Sequence, residues 1–161
     1  MELPFRVGLA ALIVSVAATP SVSAQARGGA SRIRACSLLT RDLVVKVSPP
    51  QNVRRLDLIP PMEEDIGTQG SYCEYGDISL QIDPFAKAQQ MRTTMGKEWT
   101  AVTGVGDTAF FRNNKDMWGE LIVWTGSHHF TIQMGIPMGS TAAAIRPNTI
   151  ALANAIIPKL R

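Results

Sequence analysis

Residues 118–134 read Trp118-Gly119-Glu120-Leu121-Ile122-Val123-Trp124-Thr125-Gly126-Ser127-His128-His129-Phe130-Thr131-Ile132-Gln133-Met134. Two apolar, β-branched and aromatic runs flank Gly126-Ser127, a two-residue turn of the kind favoured in β-hairpins. Pairing Thr125 with His128 sets Val123 opposite Phe130 and Leu121 opposite Ile132. Side chains alternate across a strand. One face is then core, and the other carries Trp118, Glu120, Ile122 and Trp124 opposite His129, Thr131 and Gln133.

More strands precede this hairpin. Ser71–Tyr75 and Asp77–Asp83 flank Gly76, and the second alternates with Ile78, Leu80 and Ile82 inward. Trp99–Arg112 holds two short β-prone pieces around Gly104-Val105-Gly106-Asp107. The Gly-x-Gly has neither a third glycine nor a following helix, so it reads as a turn and not as a phosphate cradle.

Helical signals bracket the strands. Thr40 can cap a helix that Pro49-Pro50 ends. Asp83-Pro84 opens a second, with Phe85, Ala88, Met91, Arg92 and Met95 on one side and Gly96 as its stop. Pro147–Ile157 gives a third, with Ser140–Arg146 as a separate turn, because proline is not expected deep inside an unkinked helix. The segment from Ser48 to Gln69 is read as a loop with at most one short element, its Glu63-Glu64-Asp65 triplet solvated. Strands joined by hairpins between helices predict an α+β fold: an antiparallel sheet with helices mainly on one face.

The remaining chain reads as an address and a staple. Val7–Ala18 is apolar, Pro20 breaks the run, and Val22-Ser23-Ala24 supplies small residues, the pattern of a signal peptide over 1–24. Residues 25–34 then form a flexible basic lead-in, and 35–161 a single domain with no further membrane-spanning segment. The expected location is periplasmic or secreted. Cys36 and Cys73 are the only cysteines, and in an oxidising compartment they are expected to close a disulfide around 38 residues, both ends counted.

Chemistry is sparse. The 161 residues are 45% hydrophobic and 18% charged with a net charge of +3, too small an excess to imply nucleic acid. Charge is segregated: 25–55 holds seven bases and one acid, 56–83 seven acids and no base, and 84–161 eight bases and four acids. No nucleophile elbow occurs. His128 and His129 are the only histidines, and as strand neighbours they point to opposite faces and cannot jointly clamp a metal. No catalytic residue, cofactor or metal is implied. The candidate binding face is Trp118, Ile122, Trp124 and His129, as paired aromatics on a sheet face make good anchors when exposed and core when covered. The leading expectation is an exported accessory or binding module for an envelope protein. A small-ligand carrier is the alternative, and a small hydrolase using His128 or His129 follows.

Ala35-Cys36-Ser37-Leu38-Leu39-Thr40, Cys73-Glu74-Tyr75, Gly104-Val105-Gly106-Asp107-Thr108-Ala109 and the C-terminal apolar helix together resemble a family of exported bacterial domains of unknown function. That resemblance covers about residues 35–160 and implies an α+β fold reminiscent of the PsbP extrinsic proteins. It also implies the Cys36–Cys73 bridge. It supplies no catalytic residues.

Overall fold

A computed structural model describes residues 33–48, 56, 60–67, 70–83, 90, 92, 93 and 95–161. The expected signal peptide and most of the basic lead-in lie outside the described residues, as does most of the expected helix after Asp83, where Gln90, Arg92 and Thr93 are helical.

The described elements run α1 (Ala35–Leu38), α2 (Arg41–Val47), β1 (Met62–Ile66), β2 (Gly70–Tyr75), β3 (Ile78–Asp83), β4 (Thr100–Val102), β5 (Thr108–Asn114), β6 (Trp118–Thr125), β7 (His128–Gly135) and α3 (Ala142–Ile156), followed by a 3-10 turn at Ile157–Lys159. Among the described residues, seven strands form one sheet in the order β1-β2-β3-β7-β6-β5-β4, with every neighbouring pair antiparallel. The chain is therefore α+β, as its alternating strands and hairpin turns predict.

The deciding hairpin has the expected register. Thr125 faces His128, Val123 faces Phe130 and Leu121 faces Ile132. Gly126 takes a positive φ of 56°, which suits a two-residue turn. Ile78, Leu80 and Ile82 join Leu121, Val123, Phe130, Ile132 and Met134 in one apolar cluster with Ala35, Leu38, Val44, Ile145, Leu152 and Ile156 from the helices. Burial of large side chains at about 1.5–3 kcal/mol each makes this the dominant stabilising layer.

Cys36 and Cys73 are bridged, with an S–S distance of 2.02 Å. The bridge ties α1 to β2. The Ala35 amide reinforces it by donating to Ser71 Oγ at 2.9 Å.

Two local expectations are corrected. The Glu63-Glu64-Asp65 triplet lies on a strand, β1, at the sheet edge and not in a loop. Its alternation is masked by acids on both faces, as suits an edge strand that must resist pairing with other chains. Glu63 is held by Arg34, whose Nη2 lies 2.7 Å from Glu63 Oε2.

Pro147 sits inside one continuous helix, so Ser140–Arg146 is not a separate turn. Thr141 caps that helix by accepting from the Ala144 amide at 3.3 Å, and Ala142 and Ile145 are buried in its first turn. That capping and packing hold the first turn in helix despite the one donor proline lacks. Asp83 does more than end a strand: it is buried against β7, in the contact described next.

Candidate functional site

The side of the sheet opposite Leu121 and Ile132 is polar and aromatic. Strand registers align its residues in rows. Tyr72, Gln81, Thr131, Ile122 and Phe110 form one, and Glu74, Ser79, Gln133, Glu120 and Arg112 the next. Asp83, His129 and Trp124 form a third.

This third row is closed to solvent. His129 Nδ1 lies 3.2 Å from Asp83 Oδ2, and both side chains have zero exposure. Gln81 Nε2 donates to Asp83 Oδ1 at 2.6 Å. The Trp124 ring centroid is 4.7 Å from that of His129, and Phe110 meets Trp124 edge-on at 6.1 Å. Met95, Trp99 and Phe110 pack on Ile122 and Trp124 as a second small apolar cluster. A carboxylate–imidazole pair is the makings of a general base, yet a base needs hydrogen-bond reach to a substrate proton. With no exposed atom, this pair joins β3 to β7 instead.

Of the four residues expected to form a binding face, the structure brings Ile122, Trp124 and His129 together and buries them. The arrangement is the covered-core alternative of the sequence reading. Trp118, at the other end of β6, is half-buried. It lines an open groove of about 410 Å³ with Tyr72, Glu74, Asp77, Ser79 and Gln133. That volume lies in the range of small-molecule sites.

The polar groups of the groove are arranged around Glu74. Tyr72 donates its hydroxyl to Glu74 Oε2 at 2.9 Å, and Ser79 Oγ stands 3.5 Å from Gln133 Oε1. Burial pushes the Tyr72 phenol above its ordinary value of 10.0, and its hydrogen bond to Glu74 raises it further. Tyr72 therefore stays a neutral donor at physiological pH. Gly135 closes one wall: its amide donates to the Asp77 carbonyl at 2.7 Å, and a Cβ added there would stand 2.9 Å from Asp77 Cβ. The neighbouring Glu120 is neutralised by Arg112, whose Nη2 is 2.6 Å from its Oε2 and whose guanidinium stacks 4.3 Å from the Trp99 ring centroid.

No family model, curated protein or solved structure matches the chain. Among the described residues, no group of three His, Cys, Asp or Glu is placed to hold a metal, and no helix is long and apolar enough to cross a membrane.

His128 lies on the opposite side of β7 from His129, in a shallow depression with Asp107, Ser127 and Arg161. Asp107 is engaged there: its Oδ2 accepts from the Gly126 amide at 2.6 Å, and its Oδ1 lies 3.7 Å from Arg161 Nη2.

The sequence reading missed Tyr72, Glu74, Asp77 and Gln133 as site residues. A signal for two of them was present. Alternation along Ser71–Tyr75 sets Tyr72 and Glu74 on the face away from Cys73, and the acidic stretch 56–83 marks that side of the sheet. No local pattern announces that β3 pairs with β7, which is what brings Gln133 beside Ser79.

Proposed function

We propose that this chain is an exported domain that binds a small ligand in the groove beside Trp118. The observation that carries this reading is the division of the candidate face. Ile122, Trp124 and His129 are buried, while Trp118 lines an open, polar concavity of small-molecule size. A protein-docking face would need exposed aromatic anchors at its centre, and the Trp124 end does not offer them. The burial of His129 likewise weighs against a hydrolase built on it. Export is supported by the leader-like pattern of residues 1–24 and by the Cys36–Cys73 bridge, which is compatible with an oxidising periplasmic or extracellular compartment. That bridge is also in keeping with the resemblance to exported bacterial domains.

The test is a thermal-shift screen of small polar molecules on the oxidised protein. Hits are then repeated on a Trp118→Ala variant shown to be folded by circular dichroism. Ligands that raise Tm in the parent and lose that effect in the variant support the groove. Hits that survive Trp118→Ala, or a screen without hits, would overturn it.

A further inference from the structure

We infer that the ligand of this groove is a soluble small molecule carrying an organic ammonium group, a claim that rests on the groove being the binding site. The described lining contains two carboxylates, Glu74 and Asp77, and no Lys, Arg or His. Neither carboxylate has a cationic partner among the described residues. Two other acids of the sheet are paired with arginine: Glu63 holds Arg34, and Glu120 holds Arg112.

Glu64 adds to the field from β1, where it stands opposite Tyr72. Tyr72 uses one Glu74 oxygen, Oε2, and thereby orients the carboxylate. The second oxygen remains to accept from a ligand. The groove also presents two aromatic rings, Tyr72 and Trp118. Aromatic faces attract ammonium groups through the ring quadrupole, and the attraction strengthens where water is partly excluded. Carboxylates without a cationic partner among the described residues, beside half-buried aromatic rings, thus favour a cation, and they disfavour an anion by like-charge repulsion. The same surroundings give a neutral ligand apolar contact and hydrogen bonds without the charge attraction.

The measurement is an ¹⁵N-correlation NMR titration that follows the Trp118 indole N–H, assigned with Trp118→Phe. Choline and butylammonium are compared with neutral analogues of similar shape, 3,3-dimethylbutan-1-ol and pentanol, and with butyrate. The ammonium probes should shift the Trp118 signal saturably, with Kd at least about tenfold below their neutral analogues. Butyrate should not shift it. Glu74→Gln should weaken choline about three- to tenfold, and the exposed Asp77→Asn, which leaves the sheet untouched, should weaken it to a smaller degree. Added salt should weaken the cations and leave the alcohols unchanged.

Alcohols binding as tightly as their ammonium counterparts would overturn the cation and leave the groove as a small-ligand site. No shift from any ammonium probe would also overturn the cation, and the thermal-shift screen then decides the groove separately. Phosphatidylcholine vesicles form a last arm. Binding of free choline with inert vesicles supports a soluble ligand, and binding confined to vesicles overturns it.

Discussion

Reduction of the Cys36–Cys73 bridge tests the energetics of the fold at one bond. The bridge closes 38 residues, counting both ends of a separation of 37. Chain entropy then gives a change on the order of −13 cal/mol/K in the unfolded state, or about 4 kcal/mol at 25 °C. The native side of the balance changes little. Cys73 has zero exposure, and a reduced thiol fills the same volume as a small apolar group. The Ala35 amide keeps its bond to Ser71 Oγ, so α1 retains a second attachment. Most of the loss therefore arises in the unfolded chain, and the urea m-value should rise as that chain expands. A domain of this size should lose on the order of 10–15 °C in Tm. The assay is urea unfolding with and without a phosphine reductant, alongside free-thiol counting. Cys36→Ser should match the reduced parent within about 1 kcal/mol. Two free thiols in the untreated protein, or coincident midpoints in the two conditions, would refute the reasoning.

Three further outcomes are expected. Leu121 is fully buried in a central strand, so Leu121→Ala should cost about 2–5 kcal/mol by urea unfolding, against under about 0.5 kcal/mol for a change at the exposed Met138. Gly104 and Gly106 both have positive φ, but only at Gly106 would a Cβ collide with backbone, 2.5 Å from the Trp124 carbonyl oxygen. Gly104→Ala should therefore cost about 1–2 kcal/mol and Gly106→Ala distinctly more in the same assay. The hydrogen bond from Arg34 holds the Glu63 carboxyl below its ordinary 4.5. A depressed folded-state pKa stabilises above the unfolded value and is lost as pH falls through the folded value. The acid limb of a pH–stability profile should thus be shallower in Glu63→Gln, by about 1 kcal/mol or less because the pair is partly exposed.

Local patterns carried much of this fold. Gly126-Ser127 between alternating runs sufficed for the β6–β7 register, and Ile78, Leu80 and Ile82 marked their face by spacing alone. Two cysteines behind a leader-like pattern were enough to expect the bridge. Failures came where a residue's conformation is decided by distant contacts. Glu63-Glu64-Asp65 has no apolar alternation, and pairing with Cys73, Tyr72 and Ser71 makes it a strand. Pro147 is tolerated in a helix whose first turn is anchored by buried Ala142 and Ile145. The candidate face was legible as a face, since Trp118, Ile122, Trp124 and His129 do share one side of the hairpin. The burial of its Ile122, Trp124 and His129 end was not, because cover from Trp99 and Met95 and the partner Asp83 reside in other segments.

The strand order has a consequence for how the chain folds. β1-β2-β3 and β4-β5-β6-β7 are each runs of sequence neighbours, and they meet only where β3 pairs with β7, joining Ile78 to Met134 and Asp83 to His129. Hairpins within either run close short loops and form on the microsecond scale. The seam must close across roughly fifty residues, and the packing of α2 on α3, where Asn148 bonds the Val47 carbonyl, must close across 101, so these non-local contacts raise the contact order. The bridge ends at Cys73, before the seam begins at Ile78, and oxidation therefore preorganises only the first run. The buried Asp83–His129 pair therefore belongs to the seam and lies outside the loop that the bridge closes.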